Sequence, residues 1–150
     1  MRMTFFALLL AFSAAPAAAA PPAGGPVDTV YRFMSALNKN DAKTALALCE
    51  ASASILDEFP PHEWQGTNTC GRWLDAYVAY DKAQGISNEY VALRRPLHAD
   101  VTGDRAYTVF PALYTYVQHG ARVREPAVFT VALRLTRSGW RITGWAWAKE

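Results

Sequence analysis

The chain has 150 residues, 51% of them hydrophobic and 19% charged, with no low-complexity stretch beyond an Ala/Pro-rich start; this excludes a disordered chain and points to one domain. Fifteen Lys and Arg against thirteen Asp and Glu leave a net charge of +2 with no basic run, Arg/Gly tract or zinc-knuckle spacing, so no nucleic-acid partner is expected. Five Trp, seven Tyr and seven Phe exceed what a core of this size needs and suit the lining of a cavity.

Met1–Ala20 carries one positive charge at Arg2, an apolar run Phe5–Phe12 and the small-residue run Ala17–Ala20, the three parts of a secretory signal. The run is shorter than the roughly 20 apolar residues a membrane span needs. The following Pro21-Pro22-Ala23-Gly24-Gly25-Pro26 does not continue a helix. The expectation is therefore a signal over 1–19, cut after Ala19 or Ala20, a Pro/Gly-rich linker over 20–26 and one domain over 27–150. The mature protein is expected to be periplasmic or secreted, with no membrane anchor. Export favours pairing of Cys49 with Cys70, the chain's two cysteines, over two buried thiols or a catalytic thiol.

Val27, Val30, Tyr31, Met34 and Leu37 recur at three-and-four spacing and predict a helix from Pro26 to about Asn38-Lys39-Asn40. Asp41 caps a second, short helix over Ala42–Cys49, and Ser52–Leu56 reads as a strand entering an Asp57–Gly66 loop. Thr67 or Asn68 caps a third helix, with Trp73, Leu74, Tyr77, Val78 and Tyr80 on its apolar side, which Gly85 ends. Four strands follow, Ile86–Ala99, Ala106–Gln118, Val123–Thr136 and Trp140–Lys149, as an antiparallel meander. Phe129, Val131, Leu133 and Leu135 alternate with more polar residues, and Pro111 is expected to bulge or bend its strand. Helices first and strands last make an α+β fold, three N-terminal helices packed on a strongly curved, mainly antiparallel sheet.

That order of elements resembles the cone fold of the nuclear transport factor 2-like, or SnoaL-like, superfamily. The stretch Val30–Asp57 (VYRFMSALNKNDAKTALALCEASASILD) resembles the opening of bacterial ketosteroid isomerases. There an Arg-Tyr pair precedes Ala-Leu-Asn, a helix-capping Asp follows, and an Ala-Thr-Val-x-Asp strand carries the catalytic base. The corresponding residues are Arg32-Phe33, Ala36-Leu37-Asn38, Asp41 and Ala53–Asp57, and the closing Gly139–Trp145 looks like the last strand of SnoaL-like proteins. The resemblance implies that Asp57 stands where a base stands. It also places Phe33 and Val131 where the isomerases have their two oxyanion donors, so steroid isomerisation is not expected.

Asp57 is the candidate general base, and His62, in the same loop, is a candidate partner in acid/base work. His98, beside Asp100, is a further candidate, while His119 adjoins the turn residue Gly120. The three histidines lack metal-ligand spacing, so neither a metal nor another cofactor is expected. Phe33, Trp64, Trp73, Tyr77, Phe110, Tyr114, Val131 and Trp145 are the candidate ligand-binding residues, with Tyr116 and Trp147 on the same strand faces. The function expected is binding of a small hydrophobic or aromatic ligand. The alternatives are a cofactor-independent lyase or isomerase with Asp57 as base, and a structural module pairing as a homodimer through its open sheet. Intact-mass measurement of exported protein is expected to show a chain beginning at about Ala20; Met1–Ala19 retained in a membrane fraction would contradict the signal.

Overall fold

Pro26, whose missing N–H costs nothing at a helix start, opens helix α1 (Pro26–Asn38) in the computed structural model, which describes residues 24–150. The expected signal, Met1–Ala19, and all but the end of the linker lie outside the described residues. Val30, Phe33, Met34 and Ala36 form the buried face of α1, while Tyr31 rests its ring edge-on against Phe110 and donates its hydroxyl to the Arg94 carbonyl. Asp41 caps α2 (Ala42–Ala47) as expected, its carboxylate accepting from the Thr44 N–H at 3.0 Å. The helix stops short of the expected Cys49, because that residue already begins strand β1 (Cys49–Leu56).

The expected Asp57–Gly66 loop is shorter than the sequence suggests. Its second half is strand β2 (Glu63–Thr67), paired antiparallel with β1 from Ser52–Thr67 to Leu56–Glu63. Helix α3 (Thr69–Gln84) then ends where Gly85 turns into the left-handed region at φ +64. At its start Asn68 occupies the cap position but contributes no side-chain bond; the buried Thr69 hydroxyl instead donates to the Ala53 carbonyl at 3.2 Å, fastening the helix to β1.

The strand expected over Ile86–Ala99 is two strands, β3 (Ile86–Leu93) and β4 (His98–Thr102), with Pro96 between them. Both pair with β5 (Arg105–Gln118), which pairs in turn with β6 (Ala121–Thr136), and β6 with β7 (Gly139–Lys149). Pro111 causes no bulge against β6, where the register runs unbroken from Arg105–Arg134 to Gln118–Ala121. A strand residue's N–H and C=O point to the same neighbour. The Pro111 carbonyl accepts from the Arg94 N–H at 2.9 Å, so its missing N–H falls in the gap between β3 and β4, where no ladder bond is needed.

The meander is extended by β1 and β2, giving a curved seven-stranded sheet in the order β2-β1-β7-β6-β5-β3, with β4 also on β5. The architecture is the expected α+β one, helices at the N-terminal side packed on a curved and mainly antiparallel sheet; the parallel β1–β7 pair was not foreseen. Phe33, Ile55, Phe110, Val131, Leu133 and Ile142 are each 2% exposed or less and form the core between helices and sheet. Cys49 and Cys70 are joined as a disulfide with α-carbons 6.6 Å apart, linking β1 to α3 across 21 residues. A loop of that length contributes about 3 kcal/mol through the unfolded chain.

Gly144 lets β7 approach β1, since a Cβ there would collide with the Ser54 carbonyl oxygen. That partner is backbone and cannot swing away, so Gly144→Ala is expected to destabilise the fold by about 2 kcal/mol in urea unfolding, a typical cost of overpacking. Unchanged stability would show that the parallel pairing tolerates separation.

Candidate functional site

A cavity of about 420 Å³ opens between α1, α3, β3 and the inner face of β5–β7, within the usual size range of small-molecule sites. Eight of its twenty lining residues are aromatic, and helical and strand periodicity explains how they converge. Trp73 and Tyr77 are one turn apart on α3, so their rings stack with centroids 5.3 Å apart and planes 15° from parallel. Trp145 and Trp147 share a face of β7. The first meets Trp73 edge-on at 5.0 Å and Phe33 at 5.3 Å, and the second packs on Phe129 at 5.9 Å. On β5, Tyr114 brings its hydroxyl 2.9 Å from that of Tyr77, so the two phenols are hydrogen-bonded to each other.

Asp57 follows β1 directly and lines this cavity. Its Oδ2 accepts the Trp73 Nε1–H at 2.8 Å and its Oδ1 accepts the Glu58 N–H at 2.8 Å. Burial disfavours the charged form and pushes the carboxyl up to about 6, further than the two hydrogen bonds pull it down. Glu58 is pushed up to about 7, chiefly by burial and then by the carboxylate of Glu125, itself 4% exposed on β6. Lys149 counters from β7, ion-paired to Glu125 and 3.8 Å from Glu58. Toward the β3 side, Asp81 on α3 is pushed up to about 7 by burial and by the neighbouring Glu89.

Of the candidate ligand-binding residues, Phe33, Trp73, Tyr77, Tyr114 and Trp145 line the cavity, as does Asp57. Trp64, Phe110 and Val131 do not, because each is consumed by the core: Trp64 packs on Phe59 at 4.9 Å, Phe110 on Tyr31 at 5.3 Å, and Val131, fully buried, pairs across strands with Trp145. The expected Asp57–His62 pairing is not formed. The exposed His62 ring sits 3.3 Å from the Asp57 backbone carbonyl, and the Asp57 carboxylate accepts from the Trp73 indole N–H instead. His98 lies exposed on β4, and His119 is exposed in the left-handed turn before Gly120.

Sequence reasoning passed over Glu58, Asp81, Glu89 and Glu125. Two of them carried a signal. The alternation that places Ala127, Phe129 and Val131 inside also places Glu125 inside, and the i,i+4 stripe of Trp73 and Tyr77 continues to Asp81. Among the described residues no three His, Cys, Asp or Glu side chains stand close enough together to hold a metal ion.

No protein-family model and no curated protein matches the sequence. Solved structures match in fold. The chain is similar to a nuclear transport factor 2-like superfamily protein from Salmonella enterica serovar Typhimurium, with TM-score 0.67 and 17% identity over 81% of this chain and 85% of that one. It is similar to a hexachlorocyclohexane dehydrochlorinase from Novosphingobium barchaimii, with TM-score 0.69 and 11% identity over 83% of each chain. A ketosteroid isomerase-like protein from Erwinia carotovora atroseptica matches with TM-score 0.63 and 13% identity over 81% and 90%. At such identities the likeness shows the fold, which is the nuclear transport factor 2-like cone.

A carboxyl raised from 3.8 to about 6 stabilises the folded state fully below about pH 4 and loses that contribution as pH rises through 6. At pH 8 the charged Asp57 therefore costs about 3 kcal/mol relative to an unperturbed carboxylate. Asp57→Asn removes this cost and gives up one of two hydrogen bonds, about 1 kcal/mol. The variant is expected to be more stable than wild type by about 2 kcal/mol at pH 8, with a flatter stability profile between pH 4 and 7. An unchanged profile in thermal unfolding would place Asp57 in water rather than in the cavity wall.

Proposed function

With the nuclear transport factor 2-like cone as the premise, we propose that this chain is an exported domain that takes a small, largely apolar or aromatic molecule into its cavity. The observation that carries the proposal is the void itself: about 420 Å³, walled by paired aromatic rings and open to entry, with the Asp57 carboxyl among the groups that line it. Rings that only filled a core would close on one another, so the open space argues against a purely structural module. Export is supported by the signal-like opening of the sequence.

A second function, cofactor-independent elimination or isomerisation with Asp57 as general base, is favoured by one observation. A carboxyl pushed up to about 6 is largely ionised at neutral pH and in that form is a better proton acceptor than an ordinary aspartate. The oxyanion donors of steroid isomerases are not reproduced, since Phe33 and Val131 carry no donor and Val131 does not reach the cavity. This favours a reaction in which the negative charge leaves with a departing group rather than developing on an enolate oxygen at those positions.

The test is titration of the purified domain with a neutral aromatic probe, naphthalene, followed by tryptophan fluorescence, because Trp73, Trp145 and Trp147 all line the space. Saturable quenching at one site per chain is expected in the wild type. Leu74→Trp, which fills part of the cavity, is expected to weaken it at least tenfold while the circular dichroism stays unchanged. Absence of saturable quenching in wild type would overturn the proposal.

A further inference from the structure

The cavity wall is acidic where the chain as a whole is slightly basic. Asp57, Glu58 and Glu89 line it, and neither Lys, Arg nor His contributes to the lining. Behind them Asp81 is 7% exposed on α3 and Glu125 4% exposed on β6, so five carboxyls from four parts of the fold surround one small space. The nearest cation, Lys149, is already engaged: its Nζ pairs with Glu125 Oε2 and lies 3.8 Å from Glu58 Oε2. Glu125 is thus shared between the Lys149 ammonium and the Glu58 carboxyl, which hydrogen-bonds to it when protonated, so Lys149 leaves Glu58 short of a full counter-charge.

What kind of cation fits follows from the rest of the wall. The carboxyls are spread around the cavity, and among the described residues no three acidic or metal-ligating side chains converge as a small divalent ion requires. Between them stand faces and edges of Trp73, Trp145, Trp147, Tyr77 and Tyr114. Electron-rich ring faces beside diffuse negative charge suit a large, weakly hydrated organic cation, whose charge is spread over several methyl or methylene groups.

We propose that the ligand of this cavity is an organic cation, an amine or quaternary ammonium carrying an aromatic or apolar body, held by ring faces and by the Asp57, Glu58 and Glu89 carboxylates. This rests on the reading of the cavity as a small-molecule site and narrows its ligand class. The acidic groups explain why the site would be sensitive to pH. Asp57 is held at about 6 and Glu58 and Asp81 at about 7 chiefly by burial and then by neighbouring carboxylates, Glu125 acting on Glu58 and Glu89 on Asp81, with Lys149, the Trp73 and Tyr77 hydrogen bonds and the exposed His62 acting the other way. A cation entering this space favours the ionised carboxyls, so its binding is expected to tighten as pH rises and to release protons.

The experiment compares phenyltrimethylammonium with tert-butylbenzene, the same shape without the charge, by tryptophan fluorescence and calorimetry. At pH 8 the cation is expected to bind at least tenfold more tightly than the neutral isostere, and at pH 5 this preference is expected to disappear. Glu89→Gln is expected to weaken phenyltrimethylammonium about fivefold and leave tert-butylbenzene unchanged. If tert-butylbenzene binds as well as the cation at pH 8, the charge assignment is overturned while the cavity remains a ligand site. If neither probe binds, the small-molecule reading falls and this inference with it.

Discussion

The Trp73 indole N–H donated to Asp57 is the contact on which the site's construction turns. It joins the end of β1 to α3 at the point where the chain leaves the sheet, and the same indole stacks on Tyr77 and meets Trp145 edge-on. One side chain thereby orients a carboxyl, a phenol and a second indole around the same space. The disulfide between Cys49 and Cys70 ties the other end of β1 to the start of α3, so the strand is fastened at both its ends to the first turns of the helix.

Electrostatics sets a second constraint. Five carboxyls are gathered around an apolar enclosure with one lysine to balance them. Each makes the charged form of its neighbours less favourable, and burial adds to that, which is why three of them are shifted toward neutrality. A core selected for stability alone would replace such groups with apolar ones. Their presence is a cost in folding, and on the proposed ligand-binding reading a partner entering the cavity would offset it.

Much of the fold was legible because it rests on local patterns. The Pro26 start of α1, the Asp41 cap, the Gly85 stop and the alternation of Phe129, Val131 and Leu133 each reflect a backbone or burial requirement that one residue type meets. The misjudged elements are those decided by partners distant in the chain. β2 has too little patterning to be seen in Glu63–Thr67 and exists because β1 offers it a free edge. Pro111 looked like a break because its side of the strand was unknown; the handover from β3 to β4 leaves its missing donor facing nothing.

For the site, the sequence by itself determined which residues are aromatic, which faces of helix and strand they share, and that Asp57 ends a strand. Of the eight aromatic and apolar candidates read from these patterns, five stand on the cavity wall, as does Asp57. Only the tertiary structure decided that Trp64, Phe110 and Val131 belong to the core, since an inward-facing residue meets either a void or a neighbour according to how far helix and sheet stand apart there. Only it gave Asp57 the Trp73 N–H rather than His62, and brought Glu58, Asp81, Glu89 and Glu125 around one space from scattered positions. Net charge is a sum over the whole chain and periodicity is a property of one element, whereas the field inside a cavity depends on distances between elements, which neither of them contains.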